Sequence, residues 1–173
     1  MINRICDFNI DEIIEAYKKT SKIEGSDESE LIYYSPNKKD KNADGSTRQF
    51  FVNLDNVVRD LVKKYNLKNG FVVCGSKHTT SSVYINHFEH GLMNDELEFL
   101  RTLYPLSKKY QHNIWDFEYK NADAHLKAIH LGKSATVIVQ NGELVLGDFE
   151  NIIYVEFDHR RGKAINISLF GEE

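Results

Sequence analysis

The dipeptide Asn141-Gly142, set between apolar runs at 135–140 and 143–146, constrains the fold of this chain more than any other stretch. Both residues accept positive φ, so the pair favours a two-residue type I′ turn between antiparallel strands. Two more apolar runs follow, at 152–157 and 164–169, so the chain ends in four strands joined by short connections. Short connections cannot make parallel crossovers, and the pairing is therefore expected to be mostly antiparallel.

Helices are written between the strands. Leu54, Val57, Val58, Leu61, Val62 and Tyr65 form one apolar stripe at helical spacing, with Asn53 as its cap and Asn66 and Gly70 beyond its end. Met93, Leu97, Leu100 and Tyr104 mark a second helix, closed by Pro105, and residues 106–120 read as irregular. A short helix opens at Asn121 and can stop at Gly132. Near the N-terminus, residues 8–19 read as a helix capped by Asn9, with Glu12 completing a capping box. Strands are expected at 31–34, 48–52, 71–74 and 80–87, and a charged loop at 37–47. The class is α+β, a mostly antiparallel sheet covered by helices. Residues 1–28 form an N-terminal helical extension and 29–173 the α+β domain.

Length and charge narrow the function. A chain of 173 residues suits one main domain, and a net charge of −4 without a basic stripe argues against nucleic acid as a partner. No apolar run approaches a membrane span. Cys6 and Cys74 are widely separated, so a cytoplasmic protein without a disulfide framework is expected.

All seven histidines lie after residue 77. His78 opens the run His78-Thr79-Thr80-Ser81-Ser82 before a strand, which sets an imidazole beside hydroxyl donors. His112 and His125 also stand at element edges or in polar loops. None of them has a local zinc spacing, so a site must be assembled from distant segments or from neighbouring subunits; structural histidines are the plainer reading. Asp148 and Glu150 follow a strand, where acids and bases often sit, whereas Glu156, Asp158, Arg160 and Arg161 read as exposed ion pairs.

The run HTTSS at 78–82, YQH at 110–112, NADAHLKA at 121–128, NGEL at 141–144 and FGE at 170–172 together resemble the YjbQ-like family, over roughly residues 30–173. Its members are described as secondary thiamine-phosphate-synthase-type proteins. The resemblance implies a compact α+β fold, a homotrimer, and His78, His112 and His125 as ligands of a divalent metal. That metal is expected to be zinc, or magnesium with a diphosphate substrate. The implied reaction joins hydroxymethylpyrimidine diphosphate to a thiazole phosphate and releases pyrophosphate. Thr79, Ser81, Lys127 and Arg160 are then expected to hold the small phosphorylated metabolite, and His87 and Glu150 to move a proton. Two stretches depart from the family pattern: His87-Phe88 stands for Glu-Asn, and Gly147-Asp148-Phe149-Glu150 for Gly-Thr-Trp-Gln. These departures leave a non-catalytic trimeric metal- or anion-binding protein as the alternative.

Overall fold

The computed structural model describes residues 1–18, 33–35, 48–116, 118–160 and 162–173. The loop expected at 37–47, the 28/29 boundary, Leu31, Ile32 and Arg161 lie outside the described residues. Nine strands and five helices are present among the described residues: β1 (Ile2–Asn9), α1 (Ile10–Lys18), β2 (Tyr33–Tyr34), β3 (Phe50–Asn53), α2 (Asp55–Lys64), β4 (Asn69–Ser76), β5 (Ser81–Asn86), α3 (His90–Leu103), α4 (Gln111–Trp115), α5 (Ala122–Leu131), β6 (Ser134–Gln140), β7 (Glu143–Leu144), β8 (Asn151–Glu156) and β9 (Ala164–Glu172).

The strands form two sheets rather than one, ordered β1-β9-β4-β6-β7 and β2-β3-β8-β5, and every pairing is antiparallel. The hairpin turn is of the expected type, with Asn141 at φ 53° and Gly142 at φ 83°. Strand β8 is buried on both faces. Ile152 and Tyr154 join a core shared with the five-stranded sheet, α1 and α2. Ile153, Val155 and Phe157 join a second core under α3 and α5. Helices α3 and α5 therefore cover the smaller sheet, while the outer side of the larger sheet leaves Ile5, Phe71 and Ile138 exposed.

The N-terminal segment differs from the reading of its sequence. Residues 2–9 are an edge strand paired along its length with β9, and the helix begins only at Ile10. Arg4 interrupts the alternation of Ile2, Cys6 and Phe8, and apolar Ile5 stands on the opposite, exposed face, which hid the strand. Asn9 still caps the helix, its Oδ1 accepting from the Asp11 N–H at 2.8 Å. Ile2, Ile10, Ile13 and Ile14 enter the same core as the sheet, so this segment is built into the domain. No helix among the described residues is long and apolar enough to cross a membrane. Both cysteines are free, and burial pushes the Cys74 thiol up to about 12.

Candidate functional site

The two sheets meet at one end in three connections: the β4–β5 turn, the β8–β9 connection and the start of α5. Backbone bonds tie the first two together. Lys77 N–H donates to the Ala164 carbonyl at 3.0 Å, and Phe157 N–H to the Thr80 carbonyl at 3.0 Å. They enclose a cavity of about 170 Å³ walled by His78, Thr79, Thr80, His125, Arg160 and Lys163, with Asp116, Tyr119, Asn121 and Asp158.

The floor is a set of buried charges. Asp158, 2 % exposed, takes hydrogen bonds from Arg160 Nε to both its oxygens, at 3.0 and 3.1 Å, and from Asn121 Nδ2 at 2.6 Å. Arg48 bridges Asp158 and Asp123 at 3.4 and 3.0 Å. Glu156 is wholly buried and accepts from Thr80, Tyr154 and the Asp158 N–H at 2.8–2.9 Å. Lys163 Nζ lies 3.5 Å from the same carboxylate and donates to Thr80 Oγ1 at 3.2 Å. Burial raises the Glu156 carboxyl, which weakens its hold on the lysine's charge. Glu156 and Asp158 are thus no exposed ion pairs; a carboxylate ending an otherwise apolar strand had to find partners indoors.

The imidazoles are oriented. His78 Nε2 accepts from the backbone N–H of Ala164 at 2.9 Å, so its proton sits on Nδ1. His125 is half-buried; burial first, and then the neighbouring His112, push its pKa below the ordinary histidine value. It is neutral at neutral pH and can accept a proton. His112 packs edge-on against His125, ring centroids 4.9 Å apart, and its Nε2 meets Asn121 Oδ1 at 3.0 Å.

The structure therefore brings His78, His125, Thr79 and Arg160 to one cavity, with His112 behind His125. Other expected site residues lie elsewhere. Ser81 is buried, bonded to Ser76, and lines not this cavity but the hollow beside it, with His78, Thr79 and His125. Lys127 is 2 % exposed and spends its charge on Asp123 at 2.9 Å, one turn earlier on α5, so it faces inward rather than toward a ligand. His87 follows the end of β5, and its ring lies 5.1 Å from that of exposed Phe149. Glu150 is exposed, and its Oε2 accepts from the Gly147 N–H at 2.8 Å. Both belong to the opposite end of the β5–β8 pair, where Asn86 faces Asn151, whereas Ser81 faces Glu156 at the cavity end. Six residues of strand separate those ends by roughly 20 Å. Sequence reasoning missed Lys163, Asp116 and Tyr119, which carry no motif of their own, and Asn121, which opens the NADAHLKA motif but was read only as a helix start.

The residues that the resemblance implies as metal ligands are neighbours here: His78 and His125 line one cavity, and His112 packs against His125. Among the described residues no group of three or more His, Cys, Asp or Glu is placed to hold a metal ion. In this arrangement the Nε2 lone pair of His78 is engaged by the Ala164 N–H.

A family model described as UPF0047 protein YjbQ-like matches residues 41–172. The chain belongs to this family. It is 34% identical to a UPF0047 protein of Methanothermobacter thermautotrophicus over 127 residues, covering 73% of this chain and 87% of that one. A UPF0047 protein of Archaeoglobus fulgidus is 43% identical over 98 residues, 57% of this chain and 75% of its own. The crystal structure of a YbjQ-like protein of unknown function from Sulfolobus solfataricus matches with TM-score 0.69 at 26% identity, covering 99% of this chain and 100% of that chain. That match takes in the N-terminal strand and helix, which precede the residues matched by the family model.

Proposed function

We propose that this protein is an enzyme acting on a small phosphorylated metabolite, with a thiamine-phosphate-synthase-like transfer from a diphosphate as the specific case. One observation carries the reading: two cations, Arg160 and Lys163, and two oriented imidazoles, His78 and His125, wall the same cavity. The cations and the Thr79 hydroxyl are the donors an oxyanion needs, the Thr80 hydroxyl being given to Glu156. In this reading His78 donates from Nδ1 to the departing pyrophosphate, and neutral His125 accepts a proton where the attacking group carries one, such as a hydroxyl; a thiazole nitrogen carries none and attacks through its lone pair. A diphosphate would bring magnesium with it as part of the substrate. Neither a histidine-held zinc nor a homotrimer is part of the proposal, which rests on the cavity of the single chain.

The test is pyrophosphate release from organic diphosphates, hydroxymethylpyrimidine diphosphate with thiazole phosphate among them. With a nucleophile that carries a proton, turnover should fall at least 100-fold in His125→Gln, as loss of an acid–base group does. Arg160→Gln should raise KM. If diphosphates bind but none is turned over, the enzyme reading fails and the non-catalytic anion-binding protein takes its place.

A further inference from the structure

A second, larger hollow of about 350 Å³ continues from the polar cavity, sharing His78, Thr79 and His125 with it. Its far wall is α5. His125, Ala128, Ile129 and Gly132 recur at i, i+3, i+4 and i+7, so they form one stripe along the helix, beside Lys133. The stripe is apolar beyond His125, and Ile129 stands 76% exposed on it. Gly132 sits at φ +88° with nothing within 4 Å of where a Cβ would be, so the end of the stripe is open.

From this continuity we infer that the α5 groove is the subsite for the hydrocarbon part of the ligand whose anionic group enters the cavity. This rests on the proposed function and adds the substrate class to it: an organic phosphate ester with an apolar body, not inorganic phosphate or a compact polyanion. The cavity of about 170 Å³ is small for such a molecule, while the groove supplies a contact surface of the size that ligand pockets have. His125, common to both hollows, then stands at the junction between the charged and apolar parts of the ligand.

Binding of inorganic phosphate and of phenyl phosphate to the full chain, measured by calorimetry, tests this. Phenyl phosphate should bind about tenfold more tightly, as burial of roughly two methylene equivalents gives. Ile129→Asn should erase that gain and leave phosphate affinity unchanged, and Ile129→Leu should keep it. Because Ile129 is exposed, neither variant threatens the fold. Equal affinities in the wild type, or a gain that survives Ile129→Asn, would overturn the subsite while leaving the phosphate reading intact. Failure of both ligands to bind would overturn the phosphate reading, and the subsite with it.

Discussion

His125 is the residue on which the site turns. It lines the polar cavity and the α5 groove, and it touches the ring of His112. Its lowered pKa has two main causes, burial and then His112, and they can be separated. If His125 is the base, the rate should be lost as pH falls through a value below the ordinary 6.5. His112→Gln removes the smaller cause, so the acid limb should move upward. A pH profile of kcat/KM reads this directly; a limb above 6.5 in the wild type, or one that His112→Gln leaves in place, would show that another group titrates. The sequence singled out His78, His112 and His125 through their motifs, but not what each ring nitrogen does. That depends on Ala164 and Asn121, whose approach only the folded chain decides.

The elements were more legible than the residues. The α2 stripe is buried at Val57, Val58, Leu61 and Val62 as its spacing requires, and Asn66 leaves the helix at φ 53°. Strand β1 and helix α4 were missed. The first carries a charge, Arg4, within its apolar alternation, and the second is a single turn of five residues, too short to show a period. Alternation alone would set His87 beside Val83 and Ile85, and only the resemblance gave it a site role; β5 stops at Asn86, and the His87 ring stands by Phe149 at the end of the strand pair away from the cavity. The joint between α3 and the smaller sheet makes a prediction of its own. Tyr84 donates to Glu96 Oε2 at 2.7 Å, and Glu96 Oε1 is buried without a hydrogen-bond partner among the described residues. Burial pushes the Glu96 carboxyl up to about 7. A raised carboxyl favours the folded state while it keeps its proton, so this contribution is lost as pH rises from 4.5 through about 7. A shift of that size is worth at most about 3 kcal/mol, and each 1 kcal/mol moves Tm by about 2–4 °C in a chain of this length. Glu96→Gln should flatten Tm across that window by several degrees; an unchanged slope would mean that Glu96 titrates normally.

Across the whole molecule, the antiparallel α+β class was open to sequence reasoning, whereas the division into two sheets was not. Strands that are neighbours in sequence, β4 and β5, fall in different sheets, and no local signal records that step. The step matters for function, because the turn between them carries His78, Thr79 and Thr80 to the end where the β8–β9 connection brings Arg160 and Lys163. A polar cavity at the seam between two sheets, with cations held by buried carboxylates and a neutral histidine at its edge, is the arrangement on which the enzyme reading depends. Phosphorus-31 NMR of the full chain with a diphosphate ester and magnesium tests it most directly, since one spectrum reports both binding and turnover. The wild type should perturb the substrate resonances and build up a product resonance, and His125→Gln should keep the perturbation and lose the product. An unperturbed spectrum, or equal product from His125→Gln, would contradict it.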